Sequence, residues 1–251
     1  MMVDLQAHFI FPVHAVSPAG PLPPGAERLQ VQTPGGDTLE GVRIPPDEPD
    51  ASSTLILGFG GNAWNGQDVA EYLHQLFPSH EVVAFHYRGY PPSTGSPSAE
   101  ALIADAPQVY DKALAKTKAA TVVVVGLSIG TGIAAQLSSV RHVDGLILVT
   151  PFDSLKGVAQ SMYPWLPIGS LFGHEIDAAG PLRTSSVPVA LIAAKADEIV
   201  PAERTAALRK EVANLIYDRI IPRCGHNDIY AKSDFQEAMR EALTMLSRHE
   251  A

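Results

Sequence analysis

The sequence holds a single cysteine, Cys224, which excludes an internal disulfide framework and any zinc site built on several cysteines. Long apolar runs are missing too. The longest strictly apolar stretch, Val189–Ala194, is far short of the ~20 residues that span a bilayer, so no integral membrane segment is predicted. Positive charge is scarce: 18 Lys and Arg stand against 27 Asp and Glu, a formal net charge of −9. No Lys/Arg cluster forms a phosphate-tracking stripe, so nucleic-acid binding is not expected. The first residues lack a basic n-region, and the partly apolar stretch His8–Val16 is broken by Pro12 and His14. It does not read as a signal peptide, which makes the cytoplasm the expected compartment. The nine histidines are scattered without an H-E-x-x-H, so no metal site is expected.

What is present is a globular composition, 46% hydrophobic and 18% charged over 251 residues, a length that α/β sheets take as one domain. Two short strands, Arg28–Thr33 and Thr38–Ile44, flank the turn signal Pro34-Gly35-Gly36-Asp37 and predict an N-terminal hairpin over 28–44. Apolar strand-like runs then alternate with helical stretches: Thr54–Phe59, Glu81–Tyr87, Thr121–Val125, Gly145–Thr150, Pro188–Ala194 and Leu215–Ile221. Several are almost wholly apolar, as strands buried on both faces of a parallel sheet must be. Ile129, Ile133, Leu137 and Val140 recur at helical spacing, as do Phe235, Met239, Leu243 and Leu246. The pattern predicts a mostly parallel central sheet with helices on both faces. The longest inter-strand gap, 151–187, carries Tyr163-Pro164-Trp165-Leu166-Pro167. Its prolines forbid one long helix and point to two short helices forming a small cap over one end of the sheet.

Gly126-Leu127-Ser128-Ile129-Gly130 is G-x-S-x-G. Four valines precede it and an apolar helical stripe follows, which is the strand–elbow–helix setting the motif needs to lift a serine out of the sheet. A nucleophilic serine needs a base, and the base needs an orienting acid. His226 and Asp197 each follow a predicted strand, at the same sheet edge as Ser128 and in the order Ser…Asp…His. Three other carboxylates compete with Asp197. Glu198 is one residue out of phase, Asp228 is too near His226 in sequence, and Asp153 could instead cap a helix beginning near Ser154. Two backbone N–H groups are expected to hold a developing oxyanion: that of Ile129, after the nucleophile, and that of Asn62 in the Gly-rich loop Gly60-Gly61-Asn62-Ala63. Ala63 is the alternative donor. Trp64 and Trp165 are candidates for lining an acyl pocket or for packing in the core and cap. Gly58–Ala63 also fits G-x-G-x-x-A, but the next strand ends in Phe85-His86-Tyr87-Arg88 without the carboxylate a dinucleotide site requires. No cofactor is therefore expected.

These motifs together resemble a known family. Gly60-Gly61-Asn62-Ala63 is similar to the His-Gly-Asn-Ala oxyanion signature of a branch of α/β-hydrolase-domain serine hydrolases that includes protein depalmitoylases and bacterial relatives. Tyr87-Arg88-Gly89-Tyr90, Ser93-Thr94-Gly95, Pro97-Ser98, Gly126–Gly130, Pro151-Phe152, Tyr163–Pro167, Asp197–Pro201 and Gly225–Asp228 follow the branch's pattern in order. Gly60 stands where the branch has His, and the relatives' membrane anchor and palmitoylated cysteines have no counterpart. The resemblance implies the α/β-hydrolase fold and a Ser128–His226–Asp197 triad. It also implies hydrolysis of a carboxylic ester or thioester through an acyl-enzyme, on a small acyl substrate or an acylated protein. A serine peptidase and a non-catalytic binding protein of the same fold remain the alternatives, and oligomeric state is left open.

Overall fold

The computed structural model describes residues 10–48, 53–162 and 172–249. Eight strands form one sheet: β1 (Glu27–Gln32), β2 (Thr38–Ile44), β3 (Thr54–Phe59), β4 (Glu81–Phe85), β5 (Thr121–Leu127), β6 (Gly145–Val149), β7 (Val189–Ala194) and β8 (Leu215–Ile221). Their spatial order is β1-β2-β4-β3-β5-β6-β7-β8. β1 and β2 pair antiparallel across the predicted turn, and β2 meets β4 antiparallel. Every pairing from β4 to β8 is parallel. β3, β5, β6 and β7 are buried almost throughout, which is why these strands read as continuous apolar runs rather than alternating ones.

Seven helices cover the sheet among the described residues: α1 (Gly66–Leu76), α2 (Ala99–Thr117), α3 (Ile129–Ser138), α4 (Leu155–Met162), α5 (Ala179–Leu182), α6 (Ala202–Glu211) and α7 (Ser233–His249). α2, α3, α5 and α6 contribute Leu102, Ile133, Leu182 and Leu208 to one core layer. α1 and α7 contribute Leu73, Phe235, Met239, Leu243 and Leu246 to the layer on the other face. Parallel neighbours joined through helices deliver the C-terminal ends of β3, β5, β7 and β8 to one edge, where a ligand site is expected.

Several sequence boundaries shift for local reasons. β5 runs two residues past the expected Val125, because Gly126 and Leu127 stay in register with Leu148 and Val149 of β6. β4 stops at Phe85, and β6 stops before Thr150, whose φ of 48° turns the chain. Val140 lies beyond the end of α3 and is 55% exposed, so it is not part of that helix's buried stripe. Asp153 is not the cap of α4. Ser154 takes that place, its Oγ accepting the Gly157 N–H at 2.9 Å, while Asp153 pairs with Arg204 at 3.3 Å. In the expected cap, α4 and α5 flank the stretch 163–171, and that stretch, including Trp165, lies outside the described residues.

Candidate active site

Ser128 sits between β5 and α3 with φ 51° and ψ −115°, a conformation L-residues avoid. Its neighbours make the turn possible. A Cβ on Gly126 would stand 2.6 Å from the Gly130 carbonyl oxygen and 2.7 Å from the Thr131 Cα. One on Gly130 would stand 2.8 Å from the Gly60 carbonyl oxygen. Both contacts are against backbone, so only glycine lets β5, α3 and the β3–α1 loop approach this closely. The Ser128 N–H donates to the Val149 carbonyl at 2.9 Å, and the Thr131 hydroxyl donates to the Ser128 carbonyl at 2.7 Å.

His226 follows β8, with its side chain 5% exposed. Its Nε2 lies 2.9 Å from Ser128 Oγ, across 98 residues of sequence. Its Nδ1 lies 3.0 and 2.9 Å from the two carboxylate oxygens of Asp197. Asp197 Oδ1 also accepts the backbone N–H groups of Ile199 at 3.0 Å and Val200 at 2.7 Å, which closes the β7–α6 loop around the carboxylate. The structure thus brings Ser128, His226 and Asp197 into one hydrogen-bonded chain: hydroxyl, imidazole, carboxylate. The carboxylates that competed for the imidazole are engaged elsewhere. Asp228 accepts the Gly225 N–H at 2.6 Å and pairs with Lys232. Asp153 is held by Arg204.

Glu198 has a role that residue order did not suggest. Its Oε2 accepts the His226 backbone N–H at 3.0 Å, and the Ala196 N–H donates to the Cys224 carbonyl at 2.9 Å. The acid-bearing and base-bearing loops are therefore stitched together independently of the Asp197–His226 contact. Cys224 is buried, its thiol donating to the Ile221 carbonyl, and burial pushes that thiol up from its ordinary range. It is packing, not a reactive thiolate.

The β3–α1 loop is fixed by two tyrosines from the segment after β4. The Tyr87 hydroxyl donates to the Gly60 carbonyl at 2.7 Å, and the Tyr90 hydroxyl donates to Asn62 Oδ1 at 3.0 Å. Asn62 faces the cleft with Ser128. Ile129 is the first residue of α3, where the backbone N–H has no intrahelical acceptor. The signal for this support was in the sequence, in Tyr87 and Tyr90, but nothing there shows which loop they reach.

An open cleft of about 680 Å³ borders Ser128 and His226. One wall is aromatic: Trp64, Tyr72 and Tyr230, with ring centroids 5.5, 5.2 and 6.0 Å apart pairwise. Tyr230 is backed by Phe235 at 5.7 Å. Among the described residues no group of three or more His, Cys, Asp or Glu side chains could hold a metal ion, and no helix is long and apolar enough to cross a membrane.

A serine on a strand–elbow–helix turn, at the carboxyl edge of a mostly parallel eight-stranded sheet, defines a class: the α/β-hydrolase fold. Comparison with known proteins agrees. A family model described as alpha/beta hydrolase fold matches residues 55–168. An uncharacterised protein of Mycobacterium tuberculosis is 33% identical over 224 residues, covering 84% of this chain and 78% of that protein. The lysophosphatidylserine lipase ABHD12 of Gallus gallus is 34% identical over 155 residues, 57% of this chain and 40% of that protein. An esterase of Pyrococcus furiosus superposes with a TM-score of 0.71, over 92% of this chain and 96% of that one, at 17% identity. The chain has the α/β-hydrolase fold.

Proposed function

We propose that the protein is a serine hydrolase that cleaves carboxylic ester or thioester bonds through an acyl-enzyme on Ser128. The observation that carries this reading is the unbroken Ser128–His226–Asp197 chain, with contacts of 2.9 Å at each end of the imidazole. Ester-cleaving relatives support it at the level of the family. Similarity of the loop motifs to the branch containing protein depalmitoylases supports extending it to thioesters.

In this reading Ser128 Oγ attacks the substrate carbonyl carbon as His226 Nε2 takes its proton. Asp197 holds the Nδ1–H tautomer and stabilises the imidazolium. The N–H groups of Ile129 and Asn62 receive the oxyanion, helped by the positive end of α3. Collapse of the tetrahedral intermediate breaks the acyl–oxygen or acyl–sulfur bond, and His226 returns the proton to the departing alcohol or thiol. Water then repeats the sequence on the acyl-enzyme, releasing the carboxylic acid and restoring Ser128.

The test is labelling with a fluorophosphonate alongside hydrolysis of p-nitrophenyl acetate and an acyl-thioester. The wild-type chain labels and turns over, and Ser128→Ala does neither at an undiminished melting temperature. Equal labelling of the Ser128→Ala chain overturns the assignment.

A further inference from the structure

The cleft beside Ser128 is uncharged. Among the described residues that line it there is no Lys, Arg, Asp or Glu. The ionisable chain neighbours of the lining are already engaged. Glu198, next to Ile199, accepts the His226 N–H. Asp228, next to Asn227, and Lys232, next to Ala231, pair with each other at 2.7 Å. The chain as a whole carries a formal net charge of −9.

One polar tip of the aromatic wall is taken up within the wall itself. The Tyr72 hydroxyl donates to the Tyr230 carbonyl at 2.8 Å. What Trp64, Tyr72 and Tyr230 offer a ligand together is a continuous ring surface. Burial pushes both phenols well above their ordinary value, so the wall stays uncharged through the working pH range.

Building on the hydrolase reading above, we infer that the substrate is electrically neutral on both sides of the scissile bond, with an apolar acyl chain lying against the Trp64–Tyr72–Tyr230 wall. An anionic leaving group would surrender its hydration to a cleft holding no cation to replace it, and the protein's own negative charge would slow its approach. An apolar chain gains from each methylene laid on the rings. The inference separates this chain from its relative named as a lysophosphatidylserine lipase, whose substrate name specifies an anionic headgroup.

The experiment compares 1-octanoylglycerol with 1-octanoylglycerol-3-phosphate, which differ only by the phosphate, and runs p-nitrophenyl acetate, butyrate and octanoate on wild type, Trp64→Ala and Trp64→Phe. The neutral glyceride is cleaved with kcat/KM at least about tenfold above the phosphate. Trp64→Ala loses about tenfold or more on octanoate and little on acetate, while Trp64→Phe, which keeps a ring, retains most of the octanoate activity. Melting temperatures exclude misfolding of the variants. Equal or better cleavage of the phosphate overturns the charge inference, and a loss independent of chain length overturns the wall. Fluorophosphonate labelling of the wild type tells these failures apart from failure of the hydrolase reading: a chain that labels but prefers the phosphate sinks only this inference, whereas one that neither labels nor cleaves any ester sinks both.

Discussion

Ser128 holds φ 51° because the elbow leaves it no alternative, and such a backbone costs on the order of 1–3 kcal/mol. Removing the side chain relieves that cost. Ser128→Gly should therefore raise unfolding stability by about 1 kcal/mol while abolishing turnover, measured by urea denaturation beside an esterase assay. A destabilised Gly variant would mean the turn is not strained. A second residue-scale expectation concerns His86, 2% exposed, whose Nδ1 accepts the Gly66 N–H at 3.2 Å. Burial, aided by Arg28, pushes its pKa down to about 4, whereas the unfolded chain takes up the proton near pH 6.5. The contribution is thus intact above about pH 6.5 and is lost as pH falls toward 4. Between pH 7 and pH 5 the wild type should lose about 2 kcal/mol through this group. His86→Asn, which keeps an acceptor and loses the titration, should show a correspondingly flatter decline, and an identical decline in both chains would remove His86 from the account. Ser128 was legible because a motif and its setting announce it. The place of His86 was not, since scattered histidines look alike until the fold buries one.

The loops after β7 and β8 do the assembling, and they divide the labour among neighbouring carboxylates. Asp197 faces the imidazole ring, Glu198 holds the His226 backbone, and Asp153 ties the segment before α4 to α6 through Arg204. Asp197→Asn should lower kcat by up to ~10⁴ with little change in melting temperature, because the amide favours the wrong imidazole tautomer. Asp153→Asn gives up a partly buried ion pair and should cost ~1 kcal/mol or less of stability with turnover nearly intact. Steady-state kinetics and thermal melts on both variants settle the matter, and reversed outcomes would move the acid to Asp153. At this scale the strands were readable to within a residue or two, since burial on both faces writes itself as apolar runs in β3, β5, β6 and β7. The partners of the loops were not, because a hydrogen bond such as Tyr87 to Gly60 spans 27 positions and leaves no periodic trace.

Across the whole molecule, alternation of strand and helix was enough to expect a mostly parallel sheet and a site at its carboxyl edge. The strand order β1-β2-β4-β3-β5-β6-β7-β8 was beyond reach of pattern alone, because right-handed crossovers constrain handedness and not which neighbour a strand chooses. The same topology spreads Ser128, Asp197 and His226 over three loops, with the nucleophile 98 positions ahead of its hydrogen-bonded imidazole. A growing polypeptide thus displays the serine long before its imidazole partner leaves the ribosome. Until then the hydroxyl has no base beside it, so under the proposed mechanism the nucleophile is armed only once the loop after β8 has docked.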